Sequence, residues 1–151
     1  MSHIRIVVAD QAEAIFYELS SLKARPNEVA RMTDPSAHLH DRDFSSDRPG
    51  RSYESFGKAR HSIEDENDPR QRAAASFAKA IAHKLELDRR NKEYEQLIVV
   101  AGAPFRSLLR AEFTADTQAC VVHEVPKDLV HSPPEVLRDY LPSSAQELKS
   151  A

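Results

Sequence analysis

Basic and aromatic side chains are interleaved in one short stretch of the sequence, residues 48–61. The stretch has a single acid, Glu54, and its glycines Gly50 and Gly57 allow unusual backbone turns. Such side chains can hold phosphates and stack on unpaired bases, so the stretch predicts an RNA contact. The residues that would make this contact are Arg48, Arg51, Tyr53, Phe56, Lys58, Arg60 and His61. Acidic residues follow at 64, 65, 66 and 68, so a solvated loop with partly neutralised charge is the alternative.

A carboxylate at the end of the first predicted strand, Asp10, raises the question of a two-metal nuclease. That chemistry needs several carboxylates at neighbouring strand ends. The central fourth strand ends in Ala-Gly-Ala-Pro at residues 101–104, which supplies no second carboxylate. The sequence therefore disfavours a nuclease and predicts that Asp10 hydrogen-bonds the turn that follows it.

Other patterns for catalysis or metal binding are weak. Two alternating histidines could reach one metal ion, but their spacing matches no closed site, and solvated side chains are the commoner outcome. The residues concerned are His38, His40, Asp41, Asp43 and His61. Cys120 lies in an apolar segment that predicts a strand and an ordinary core thiol. The sequence has no Gly-x-Ser-x-Gly motif, and its three glycines form neither a Walker nor a Rossmann loop. We therefore expect a binding protein rather than an enzyme, with no metal and no cofactor.

Length and composition indicate one globular domain. The chain has 151 residues, of which 40% are hydrophobic and 30% charged, and its formal net charge is -3. This balance disfavours a globally basic nucleic-acid binder, and a single cysteine excludes an internal disulfide. We find no targeting sequence and no apolar run of about 20 residues, so we expect a cytoplasmic protein without membrane insertion.

The first part of the chain reads as strands followed by a long loop. Alternating or continuous apolar residues predict strands at 3–9, 14–19 and 28–32, the first two joined as a hairpin and the third at an edge. Apolar residues show neither a helical nor a strand periodicity from 33 to 67, which predicts a long polar loop.

The second part alternates helices with strands. Asp68 and Pro69 begin a helix that should end near residue 90, and a buried strand follows at 96–101. Three further elements follow: a helix at 105–113, a strand at 118–123 and a helix after a capping box at 132–135. They complete a predicted domain of residues 1–142, and residues 143–151 should fray. The last helix should turn Val136, Leu137, Tyr140 and Leu141 inward. This element order predicts an α/β, ribonuclease-H-like fold with a mixed five-stranded sheet in the order 3-2-1-4-5.

Several sequence blocks resemble the bacterial host attachment proteins, which are named as required for attachment to host cells. The most specific block is Asp-Phe-Ser-Ser-Asp-Arg-Pro-Gly-Arg-Ser at residues 43–52. Further matches are in the right order over nearly the whole chain, and they are residues 7–10, Gly57, Arg60 with His61, 77–78, 97–101, Phe105 with Leu109 and Arg110, and 127–129. The residues that carry the family pattern are Asp10, Asp47, Pro49, Gly50, Gly57, Lys127 and Asp128.

The resemblance implies a fold similar to the central domain of archaeal and eukaryotic peptide release factors and of Pelota. It implies either contact with the ribosome or structured RNA, or a protein–protein interaction linked to attachment or surface physiology. A metal-dependent hydrolase is a third, weaker alternative. The chain has no Gly-Gly-Gln tip, which disfavours peptide release, and residues 101–104 lack the second proline that the family usually carries there.

Overall fold

The computed structural model describes residues 3–34 and 68–142. These two stretches form five strands and four helices. In chain order they are β1 (Ile4–Ala9), β2 (Glu13–Leu19), β3 (Asn27–Thr33), α1 (Pro69–Arg90), β4 (Gln96–Ala101), α2 (Ala103–Glu112), α3 (Ala115–Cys120), β5 (Val121–Val125) and α4 (Pro134–Tyr140). Nearly all of the polar stretch predicted at 33–67, and the tail predicted at 143–151, lie outside the described residues.

The strands form one mixed sheet in the spatial order β3-β2-β1-β4-β5. β1 pairs antiparallel with β2, and β2 with β3, whereas β4 pairs parallel with both β1 and β5. Ala9 lies opposite Ala14, so the chain reverses over residues 10–13 and makes the expected hairpin. The α/β class and the strand order 3-2-1-4-5 are confirmed, and the ribonuclease-H-like description remains a prediction.

The sheet is the middle layer between two cores. Alternate side chains of β1 point to opposite faces, and both sets are buried, as its nearly continuous apolar sequence predicts. Val7 and Ala9 face the core that α1 and α2 cover. Ile6 and Val8 face the core that α4 and the segment before it cover. Packing on both faces fixes the strands, and with them the positions of their carboxyl ends.

Helix α1 begins where the sequence predicts. Asp68 is the N-cap, and its side chain accepts a hydrogen bond from the backbone N–H of Arg70 at 2.9 Å. Pro69 is the first helical residue, where its missing N–H costs nothing. One face of the helix carries an apolar stripe that is buried against the sheet, and its members are Ala74, Phe77, Ala78, Ile81 and Leu85.

The elements around β5 differ from the prediction. Residues 115–120 form helix α3 and the strand starts only at Val121, so Cys120 ends a helix instead of lying in a strand. Thr114 explains the difference, because its hydroxyl oxygen accepts a hydrogen bond from the N–H of Thr117 at 3.1 Å and caps a helix. Helix α2 also starts at Ala103, two residues before the predicted start at 105.

The last helix is shorter than its sequence pattern suggests. Pro133 is the N-cap and offers no side-chain acceptor, so the capping box predicted at 132–135 is wrong. Leu137 and Leu141 are buried as predicted, but Tyr140 is 40% exposed. The helix ends at Tyr140, and Leu141, which is extended, occupies the inner position instead.

Candidate binding cleft at the carboxyl ends of the parallel strands

The carboxyl ends of β1 and β4 meet at one edge of the sheet because these two strands are parallel neighbours. Asp10 follows β1, and Gly102 follows β4 as the N-cap of α2. The chain leaves β1 through a hairpin and leaves β4 through a helix, and such divergence opens a crevice in α/β sheets. An open cleft of about 900 Å³ lies here, between the first turns of α1 and α2. Clefts of ~300–1,000 Å³ are typical of ligand sites.

The strand side of the cleft is built by the β1–β2 turn. Asp10 Oδ1 accepts hydrogen bonds from the N–H groups of Ala12 and Glu13, each at 2.8 Å. The Asp10 N–H donates to the carbonyl of Glu13 at 2.9 Å, which closes the turn. The predicted role of Asp10 in this turn is confirmed. The turn presents Gln11 and Ala12 to the cleft, both of them exposed.

The helix side of the cleft is apolar at its base and cationic at its rim. Ala74 and Ala75 of α1 face Phe105 and Leu108 of α2 across the base. Because alanine ends at Cβ, the two helices leave open space here instead of interlocking. Arg70 and Arg72, in the first turn of α1, are exposed and line the rim. Gln71 lies between them on the same rim.

Charge is divided across the cleft. The arginines lie on the α1 side, where the positive end of the helix dipole adds to their field. The carboxylates of Asp10 and Asp128 lie on the side of the strand ends. Asp128 follows β5, and its Oδ1 accepts a long hydrogen bond of 3.4 Å from the N–H of Val130. The cleft therefore offers cations on one side, hydrogen-bond acceptors on the other and an apolar base between them.

The structure places only some of the residues that the sequence singled out. Asp10 and Asp128 line the cleft. Lys127, which is exposed, directly precedes Asp128 in the chain. The predicted RNA contacts Arg48, Arg51, Tyr53, Phe56, Lys58, Arg60 and His61 lie outside the described residues. So do the family-pattern residues Asp47, Pro49, Gly50 and Gly57, and the histidines His38 and His40. The sequence did not predict the cleft residues Arg70, Arg72, Phe105 and Leu108, although strand-end geometry pointed to this edge.

Two described residues flank the stretch 35–67, Asp34 before it and Asp68 after it. The N–H of Asp34, directly after β3, donates to the carbonyl of Ala12 at 2.9 Å. On the other side, Asp68 caps α1 two residues before Arg70, which lines the cleft. Asp34 and Asp68 therefore both lie at the edge of the sheet that bears the cleft.

A second charged cluster connects α1 to α3 and lies outside the cleft. Glu86 is 9% exposed and accepts hydrogen bonds from Arg89 and Arg90 and from the hydroxyls of Thr114 and Thr117. These bonds, that from Arg89 first, hold the pKa of the Glu86 carboxyl well below its usual range. Because its partners are all groups of the fold, we assign the cluster to packing rather than to chemistry.

Two further observations concern nucleophiles and metals. Burial raises the pKa of the Cys120 thiol, and the nearby Arg89 opposes this shift only in part. Within 3–34 and 68–142, no group of three or more His, Cys, Asp and Glu side chains could hold a metal ion.

These features define an α/β domain with one mixed sheet and an open cleft at its parallel strand ends. A model of the family described as "Protein required for attachment to host cells" matches residues 5–141, from β1 to just beyond α4. The chain belongs to this family, as its sequence blocks predicted. A comparison with curated proteins gives no match. None of the described helices is long and apolar enough to cross a membrane.

Proposed function

We propose that this host-attachment-family protein is a non-catalytic domain that contacts structured RNA or the ribosome in the cytoplasm. The observation that carries the proposal is the position of the basic and aromatic stretch. It lies between Asp34 and Asp68, both of which are held at the edge that bears the cleft. Arg70 and Arg72, which follow Asp68 closely in the chain, place two exposed arginines on the rim of the cleft. Loops on a rigid scaffold are common places for binding residues.

A binding role fits this site better than a catalytic one. Asp10 uses one carboxylate oxygen to hold two backbone N–H groups of a turn, which is a structural use of the side chain. The raised pKa of the Cys120 thiol keeps it largely protonated at neutral pH, which disfavours it as a nucleophile. A metal-dependent hydrolase would need ligands from the stretch outside the described residues, such as His38 and His40.

The experiment is an RNA-binding titration with a triple variant, Arg48→Ala, Arg51→Ala and Arg60→Ala. Loss of three phosphate contacts should weaken binding and reduce the magnitude of the slope of log K against log salt by about 2. The matched control is Lys23→Ala, Arg25→Ala and Lys79→Ala, which removes three positive charges from exposed positions that do not line the cleft. Equal affinity and equal slope for both triple variants would contradict the proposal.

A protein partner is the second candidate, because the base of the cleft is apolar and exposed apolar groups are typical of protein interfaces. Gradient fractionation of native lysate separates the two functions. Comigration with ribosomal particles that is lost at high salt supports RNA contact. Recovery in light fractions at both salt concentrations, together with capture of envelope or signalling proteins, supports the partner function.

A further inference from the structure

The cleft combines three surfaces within one opening. Its base is formed by the side chains of Ala75 and Leu108, which are half-buried, and by Phe105, which is only 6% exposed. Ala75 extends no further than Cβ, so the cleft has room for a flat ring against Ala75 and the half-buried Leu108. Bases stack on apolar and aromatic side chains without regard to sequence, at ~1–3 kcal/mol for each base.

The rim on α1 provides for an anion. Arg72 is exposed in the first turn of a 22-residue helix, so its charge adds to the positive end of the helix dipole. The guanidinium groups of Arg70 and Arg72 match phosphate oxygens in geometry and in charge.

The opposite side provides hydrogen-bond acceptors. Asp10 Oδ1 is occupied by the two N–H groups of the turn, whereas its Oδ2 accepts no hydrogen bond from the described residues. Asp128 is exposed, and from the described residues it receives only the long bond from Val130. Carboxylate oxygens accept hydrogen bonds from base amino groups and from ribose hydroxyls.

We propose that the cleft binds one unpaired nucleotide. The base lies against Ala75 and Leu108, the 5′-phosphate lies against Arg72, and the sugar or the base donates to Asp10 or Asp128. This inference deepens the proposed RNA contact and rests on it for the source of the nucleotide. A nucleotide within single-stranded RNA and a free nucleoside monophosphate share the required chemistry, and the experiment separates them.

The test uses the full chain with two probes, adenosine monophosphate and a short oligoadenylate. Ala75→Leu fills the base of the cleft with a good helix former. Ala80→Leu is the matched control, because Ala80 is an exposed residue of the same helix that does not line the cleft. We expect Ala75→Leu to weaken binding of both probes about tenfold or more, and Ala80→Leu to bind as the parent does.

A second pair of variants leaves the packing intact. Arg72→Glu reverses the charge at the rim, and Lys79→Glu reverses an exposed charge elsewhere on α1. Arg72→Glu should weaken both probes and flatten the salt dependence of binding, whereas Lys79→Glu should do neither. This pair decides the question if Ala75→Leu fails to fold, as judged by circular dichroism.

The outcomes separate this inference from the proposed function. If the cleft variants lose binding of both probes, the inference is supported and RNA is the source of the nucleotide. If they lose binding of the monophosphate alone, the inference is supported and a free nucleotide is the source. Unchanged binding in the cleft variants overturns the inference, and if the triple arginine variant still loses RNA, the proposed function stands. Failure of the parent protein to bind either probe, or capture of a peptide instead, also overturns the inference.

Discussion

The buried ion pair between β1 and α1 predicts a large loss of stability when one of its partners is removed. Arg5 is 2% exposed although it lies in a strand that is otherwise apolar, and Asp88 is 7% exposed. The Arg5 guanidinium donates to Asp88 Oδ2 at 2.7 Å and lies 5.6 Å from the centre of the Tyr94 ring. Two more carboxylates approach Arg5, Glu93 at 3.4 Å and Glu18 at 3.8 Å.

Replacement of Asp88 by alanine should destabilise the protein severely. Removal of one partner of a buried pair leaves an uncompensated charge and costs ~3–5 kcal/mol. We expect the lower end, about 3 kcal/mol, because Glu93 and Glu18 still offset part of the charge on Arg5. That is a large fraction of the ~5–15 kcal/mol by which domains are stable.

Urea unfolding followed by circular dichroism measures this effect. Asp139→Ala is the matched control, since Asp139 is an exposed aspartate on α4, and its change should stay within ~0.5 kcal/mol. The double variant Arg5→Met with Asp88→Ala should recover ~1 kcal/mol or more of the sum of the single effects, because no unpaired buried charge remains. A cost of Asp88→Ala no greater than that of Asp139→Ala would refute the reasoning.

Three further predictions concern single groups. Tyr94→Phe removes the buried hydrogen bond of 2.7 Å from the hydroxyl to the carbonyl of Leu85, so urea unfolding should show a loss of ~1 kcal/mol. Because the pKa of Glu86 is lowered in the folded state, its ionised carboxylate stabilises the fold at pH values above the unfolded-state pKa of about 4.3. This stabilisation is lost as the pH falls towards the folded-state pKa. Glu86→Gln should therefore make the free energy of unfolding depend less on pH in the acid range. The raised pKa of Cys120 should make its alkylation by iodoacetamide slower at neutral pH than that of a free cysteine, and an equal rate would contradict the shift.

The sheet could be predicted from sequence because its signals are local. The apolar runs of β1 and β4 are long enough to predict strands buried on both faces. Asp10 marks the hairpin turn through bonds to residues two and three positions away. Asp68 and Pro69 fix the start of α1 in the same way. The predictions from these local signals were confirmed, whereas the capping box predicted at 132–135, which is also a local signal, was wrong.

Distant contacts contribute to what the sequence did not predict. Residues 118–120 read as a strand, but Thr114 caps helix α3 locally, and the hydroxyl of Thr117 also donates to Glu86, 31 positions away. The burial of Arg5 likewise depends on Asp88, 83 positions away, and no local pattern reveals it. The cleft also depends on distant residues, because Ala75 and Phe105 line one opening only once both helices have packed on the sheet.

The rim of the cleft separates the proposed chemistry from the stability of the fold, but the base of the cleft does not. Ala74 and Phe105 line the base and also belong to the core under α1 and α2. The rim residues Asp10, Arg72 and Asp128 belong to neither core. The unfolding free energy of the triple arginine variant should therefore be measured beside its RNA affinity. An unchanged unfolding free energy assigns a loss of RNA affinity to lost contacts rather than to unfolding.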